Sequence, residues 1–334
     1  MEMETPQPDA AERHHATSED LIQTIHESAE KLARDHTSRG DLKLLSRAIR
    51  ELRYAFRVFQ PYRRQRKVTV FGSARTPAED PAYQQAVAFG KAMAAHDWMV
   101  VTGAAQGIME AGHVGAGREH SMGINIMLPF EQSANPVIAG DPKLVHMKYF
   151  FTRKLMFVKE CDALVCCAGG FGTLDEALEV LTLLQTGKRD MVPVVFLDAP
   201  GDSYWQSFDQ FIREQLLRRR LISPEDLRLY LVTDNAARAV EEVLRFFRIY
   251  HSMRYVKKEL VFRLQQPLSP ELLDAINGSF GDILVSGHFH QRGPLPAEKD
   301  EPELASLSRL VFHFNRRSLG RLRQLIDAIN AGAV

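Results

Sequence analysis

Between residues 67 and 250, short apolar runs alternate with stretches whose apolar positions recur every three to four residues. The runs VTVF (68–71), WMVVT (98–102), INIML (124–128), ALVCCA (163–168), VPVVFLD (192–198) and LYLV (229–232) are near-continuously apolar, as a strand buried on both faces requires. Helical patterns fall between them at 82–95, 107–117, 152–160, 174–186, 204–219 and 235–249. The second has a small-residue face; in the fourth, Leu174, Leu178, Leu181 and Leu184 mark the expected inward stripe. This alternation predicts an α/β fold, a doubly wound parallel sheet over about residues 65–250. Ligands in such folds sit beyond the carboxyl ends of the strands.

The flanks read differently. Residues 1–18 predict a disordered tail, and 19–64 a helical extension. Leu42, Leu45, Ile49, Leu52 and Phe56 form one stripe of its second helix, before Pro61 and the basic run 63–67. From 251 to 334 the order is strand (259–264), helix (269–277), strands (282–289 and 309–314) and helix (318–330). That order predicts a small α+β appendage on an antiparallel sheet, with 291–306 as a polar hairpin loop.

Composition narrows the function classes. The 334 residues suit about two domains. Lys plus Arg equals Asp plus Glu at 42 each, so no global basic field points to a nucleic-acid partner. No apolar run approaches a membrane span. The opening MEMETPQPDAAERHH lacks a signal-peptide apolar region, so a cytoplasmic location is expected. Cys161, Cys166 and Cys167 are odd in number and tightly clustered, which argues against a disulfide framework. His288 and His290 share a strand face but lack a third ligand, so they read as ordinary strand histidines and no metal site is expected.

Three glycine-containing turns follow three predicted strands: FGSAR (71–75), TGAAQG (102–107) and AGGFGT (168–173). In a parallel sheet they gather at one edge. Glycine lets backbone amides approach a ligand closely, and a following helix start offers free N–H groups and partial positive charge. The three together suit a phosphate. Neither the P-loop pattern G-x-x-x-x-G-K-S/T nor a G-x-G-x-x-G turn after the first strand occurs. Arg153 and Lys154 open the helix that leads to the strand before AGGFGT, within reach of the same edge.

GGFGTLDE (169–176) resembles the GGxGTxxE signature of the LOG family, cytokinin-activating phosphoribohydrolases once mislabelled lysine decarboxylases. Arg153-Lys154, followed by Asp162-Ala163, matches the Arg-Lys motif that precedes that signature, and TGAAQGIMEA (102–111) resembles the family's TGGGxGIMEA loop. The likeness covers about residues 67–250, and LPFEQSANP (128–136) resembles a longer bacterial branch. It implies a Rossmann-like nucleotide-binding domain and hydrolysis of the N-glycosidic bond of a nucleoside 5'-monophosphate, giving free base and ribose 5-phosphate. It also implies a homodimer, with no metal or organic cofactor. Carried over by position, Arg153 and Glu176 are the catalytic pair. Gly169, Gly170, Gly172 and Thr173 hold the phosphate, assisted by Gly72, Ser73, Gly103, Gly107 and Lys154. Glu131, at the end of a predicted strand, is a base or ribose contact or an exposed loop carboxylate.

Two readings stay open. Thr173-Leu174-Asp175-Glu176 fits a capping box in which Glu176 only satisfies the Thr173 amide. Ala104 and Ala105, where the family pattern has glycine, can narrow the approach of a phosphate or ribose. That leaves room for an alternative function, carriage of a phosphorylated ligand such as molybdenum cofactor without turnover. Nothing marks a lysine that would hold pyridoxal phosphate.

Overall fold

The computed structural model describes residues 17–127, 133–299 and 301–332. Residues 1–16, which carry most of the tail expected to be disordered, lie outside them. Composition shifts place boundaries at 64/65 and 250/251, whereas the chain itself separates into a unit ending at Arg53 and a unit beginning at Tyr54.

The first unit holds helix α1 (Ser18–Arg34) and most of α2 (Arg39–Phe59). Thr17 opens α1 with a capping box. Its Oγ1 accepts from the Asp20 amide at 3.2 Å, and Asp20 accepts from the Thr17 amide at 2.8 Å. Leu21, Ile22 and Ile25 form an apolar stripe on α1 that stays exposed.

In the second unit the chain runs β1 (Lys67–Phe71), α3 (Pro81–Ala95), β2 (Met99–Thr102), α4 (Ile108–Ala116), β3 (Ser121–Ile126), β4 (Leu144–Met147), α5 (Phe150–Glu160) and β5 (Ala163–Cys167). It continues through α6 (Phe171–Gln185), β6 (Val194–Leu197), α7 (Tyr204–Phe211), β7 (Leu231–Thr233) and α8 (Ala236–Phe246). The seven strands pair in parallel in the order β4-β3-β2-β1-β5-β6-β7. β1, β2, β3, β5 and β6 are buried at every position, which explains their unbroken apolar runs. Val68 and Val70 of β1, Val165 of β5 and Val195 of β6 join residues of α3, α4 and α8 in one core. On the other face Phe71 meets Phe157 of α5 edge-on at 4.8 Å.

The small-residue face of α4 is a seam of close approach. A Cβ on Gly90 of α3 would overlap the Gly112 carbonyl oxygen, and one on Gly115 would overlap that of Val87.

The remainder carries β8 (Tyr250–Val256), β9 (Glu259–Leu264), α9 (Pro270–Ser279), β10 (Leu284–Arg292), β11 (Ser308–Phe314) and α10 (Leu319–Ala331). The sheet is antiparallel, as expected, in the order β10-β11-β9-β8. Its extra strand β8 corrects the predicted element order. Asn330 of α10 fixes the join to the parallel layer: its Oδ1 accepts from the Ile249 and Tyr250 amides at 2.8 and 3.1 Å, and its Nδ2 donates to Phe246 O at 2.7 Å. The segment 291–306 is more than a polar loop. Its Glu298 is buried between Arg263 (2.9 Å) and Arg309 (3.0 Å).

Candidate active site

β2, β1 and β5 are adjacent, so the three glycine turns meet at one sheet edge. Successive strands are laid down outward from β1 to β4, and β5 then returns beside β1. The crevice beyond the β1 and β5 ends is the topological switch point, where such folds bind ligands. The turns are stitched together there: the Ser73 amide donates to Ala168 O and the Ile108 amide to Ser73 O, both at 3.0 Å. Gly72 and Gly169 leave room for Ile108 and Thr173, respectively. Gly107 adopts φ +65° against the Ser73 carbonyl, a position that admits no side chain.

α6 begins at Phe171, with Gly170 as its N-cap and no side-chain cap. This overturns the capping-box reading: Thr173 lies inside the first turn and Glu176 inside the second. A Cβ on Gly170 or Gly172 would meet nothing within 4 Å. Nothing within the protein therefore demands glycine at these two positions. The Thr173 amide donates to Gly170 O at 3.0 Å, while the Gly170, Phe171 and Gly172 amides at the start of α6, which a helix leaves without internal acceptors, are open to an incoming anion.

The inward face of α6 is Thr173, Glu176, Ala177, Val180 and Leu184, while Leu178 of the expected stripe is exposed. The buried face is thus rotated away from the leucine stripe; Glu176 lies on it, and its Oε2 has no hydrogen-bond partner. Burial pushes its carboxyl up to about 7. The charges of Lys154 and Arg153 pull the other way, and Asp175 and Glu179 add to the rise. A carboxyl poised near neutrality exchanges protons at physiological pH, as a general acid or base must.

Arg153 and Lys154 share the start of α5 but face different partners. Arg153 Nε donates to Ile124 O at 3.0 Å, and its Nη2 fills the space above Gly103, where a Cβ would overlap it. Lys154 Nζ sits 2.7 Å from Asp175 and 2.5 Å from Glu179. The structure thus places this predicted phosphate ligand between two carboxylates, tying α5 to α6.

Ala104 is held at φ +62°, a conformation that costs an alanine about 1 kcal/mol or more. Its methyl packs with Ile138 and Leu144, so the expectation that it narrows the ligand approach does not hold. The strain is held by a buried network. The Ala104 amide donates to Thr102 Oγ1 (3.0 Å) and its carbonyl accepts from the Asn135 amide (2.8 Å). Asn135 Nδ2 reaches Ala105 O (3.1 Å) and His113 Nδ1 (3.2 Å), while His113 Nε2 lies 3.0 Å from Met122 O. Burial lowers the His113 pKa to about 4, so the ring is neutral and donates to Met122 O.

Sequence reasoning missed Tyr204, whose hydroxyl donates to Gly169 O at 2.7 Å and so orients the third turn. Asp198, at the end of β6, positions it by accepting from the Trp205 and Gln206 amides at 2.8 and 3.2 Å. An aspartate directly after a buried strand, in the turn that leads to the next helix, was the available signal. Glu131 lies outside the described residues. His288 and His290 stand on β10, away from these turns, and no group of three or more His, Cys, Asp and Glu among the described residues is placed to hold a metal ion.

Residues 101–243 match the family described as "Possible lysine decarboxylase". A probable cytokinin riboside 5'-monophosphate phosphoribohydrolase of Oryza sativa subsp. japonica is 30% identical over 180 residues, covering 52% of this chain and 69% of that protein. The chain belongs to the LOG family. A second rice relative of the same description is 26% identical over 235 residues, 68% of this chain and 90% of the relative. A cytokinin riboside 5'-monophosphate phosphoribohydrolase of Arabidopsis thaliana is 31% identical over 129 residues, 38% of this chain and 57% of that protein. Among solved structures, the molybdenum cofactor carrier protein of Chlamydomonas reinhardtii is similar at 22% identity and TM-score 0.38, covering 54% of this chain and 98% of that one; a likeness of that size has no bearing on activity. No helix among the described residues of this LOG-family chain is long and apolar enough to cross a membrane.

Proposed function

We propose that this LOG-family chain hydrolyses the N-glycosidic bond of a nucleoside 5'-monophosphate, releasing free base and ribose 5-phosphate. The observation that carries the reading is Glu176: a buried carboxyl with an unpartnered oxygen and a pKa near neutrality, one turn behind the open amides of α6. In this reading the 5'-phosphate sits on the amides of Gly170, Phe171 and Gly172, and its binding energy holds the ribose in place. Cleavage builds oxocarbenium-like positive charge on the sugar. Glu176 as carboxylate stabilises that charge and positions water for attack, as carboxylates do in glycoside hydrolysis. Arg153 is the second member of the pair; its charge keeps part of the Glu176 population ionised despite burial.

Relatives described as phosphoribohydrolases support the reaction class. Carriage of a phosphorylated ligand without turnover drew on the alanines of the second turn, and Ala104 turns its methyl away into an apolar cluster. A homodimer is also proposed. It is supported by exposed apolar side chains on α5 and α6 beside the site, Phe151, Leu178 and a 93% exposed Phe171.

The test is incubation of the full chain with purine, pyrimidine and cytokinin-type riboside 5'-monophosphates, scoring free base and ribose 5-phosphate. Base release from at least one is expected, falling about a hundredfold or more in Glu176→Gln. No base from any substrate, or an intact ligand retained without turnover, overturns the reading.

A further inference from the structure

At the opposite edge of the parallel sheet from the glycine turns, at the amino ends of β1, β5 and β6, lies a cavity of about 390 Å³ bordered by the start of β8. Its size falls in the range of small-molecule pockets. We propose that it binds a phosphorylated small molecule with an apolar or aromatic body, at a site distinct from the candidate active site.

The lining has two parts. Leu155, Met191, Phe247 and Tyr250 give apolar wall, and Arg66, Lys188 and Arg189 give cationic groups. Arg66 is already committed: its guanidinium lies 3.9 Å over the Phe247 ring and pairs with Asp162 at 2.9 Å. Lys159 is likewise paired, with Glu160. Lys188 and Arg189 are in no ion pair among the described residues. Arg189 Nη2 donates to Cys161 O at 2.6 Å, but its Nε and Nη1 are buried without an acceptor. A buried donor left unmade is costly, and a guanidinium is the side chain best matched to a phosphate. The acidic members are Asp162, held by Arg66 and the Lys67 amide, and Asp190, next to Arg189 in the chain. The surroundings are electropositive: burial, then Arg66 and Arg263, lower the pKa of His251 at the cavity wall to about 4. Its ring therefore adds no charge at neutral pH, and its Nδ1 lies 2.9 Å from Ser252 Oγ.

The position matters as much as the chemistry. α5 presents Arg153 near its amino end and lines the cavity with Leu155, Val158 and Lys159. α6 presents Glu176 in its second turn, and Lys188 and Arg189 lie just beyond its last residue, Gln185. An occupant of the cavity therefore touches α5 and the segment just beyond α6, and these two helices carry the proposed catalytic pair.

Phenyl phosphate is a suitable probe, since it joins an anion to a ring and has no glycosidic bond. Isothermal titration of the full chain should show binding that weakens roughly tenfold or more in Lys188→Glu and in Arg189→Met, and that persists in Arg153→Met and Glu176→Gln. Lys188 is exposed, so its variant tests the site even if the Arg189 variant does not fold. Binding unchanged in Lys188→Glu, binding lost in Arg153→Met, equal binding of phenol, or no binding at millimolar probe overturns the proposal. These readouts do not depend on whether the chain releases a base.

Discussion

The guanidinium of Arg153 occupies the space that a side chain on residue 103 would need, and its Nε is fixed from the other side by Ile124 O at 3.0 Å. The arginine is held between a glycine and a carbonyl, so neither can change without moving it. Gly103→Ala is expected to displace Arg153 and lower kcat for base release on the order of a hundredfold, as small misplacements at a reacting centre do. Steady-state kinetics on the best nucleotide check this. A variant with wild-type kcat would show that Arg153 is not held by this contact.

Glu176 makes the fold less stable as its site becomes ionised. Its folded pKa of about 7 lies above the ordinary value of 4.5, so between those values the native state binds more protons than the unfolded chain. Stability therefore falls as pH rises through that window, by ~3 kcal/mol once complete. Glu176→Gln removes this cost. The variant should melt about 5 °C or more above the wild type at pH 8, with the gap closing by pH 4. Thermal melts across pH read this directly, and a gap that does not depend on pH would refute it.

Lys154 discriminates between a phosphate ligand and a strut. Its charge lowers the Glu176 pKa while Asp175 and Glu179 raise it. Lys154→Met should shift the ionisation governing kcat/KM upward from about 7, by on the order of one pH unit, with a modest change in KM. A large rise in KM without a shifted profile would make Lys154 a phosphate ligand instead.

Glu298 tests the second sheet. Two guanidiniums and the Leu295 amide converge on its carboxylate and hold its pKa down to about 2, against the cost of burial. That contribution is present above the ordinary value of 4.5 and is lost as pH falls through about 2. Glu298→Leu leaves Arg309 without a carboxylate among the described residues and Arg263 with Glu301 alone, and should cost roughly 3–5 kcal/mol at pH 7, seen as a lower denaturant midpoint. A midpoint within error of the wild type would mean that the arginines find other partners.

The parallel sheet and its three glycine turns were legible because strands buried on both faces leave unbroken apolar runs. β4 and β8 were not. β4 is a four-residue edge strand, and YHSMRYV of β8 mixes polar and apolar positions as a half-exposed strand does. The start of α6 was misplaced because Thr173 offers a good capping side chain, whereas the chain caps with Gly170 and leaves those amides unfilled. The inward face of α6 was misread for a related reason: leucines mark burial in most helices, but here a carboxylate takes the buried position and Leu178 is exposed. Glu298 was hidden in a polar segment because a buried charge reads like a surface one until its partners on other strands are known.

The glycine seam between α3 and α4 works as a spacer of fixed thickness. α4 hangs from the second turn at its amino end, so the distance between the two backbones sets the height of that turn above the sheet edge. A single methyl at position 90 or 115 would lift α4 and tilt Gly103, and with it the seat of Arg153. The shape of the cleft is thus gauged partly by residues on the far side of α4, and its tolerance to sequence change is narrowest where no side chain is present.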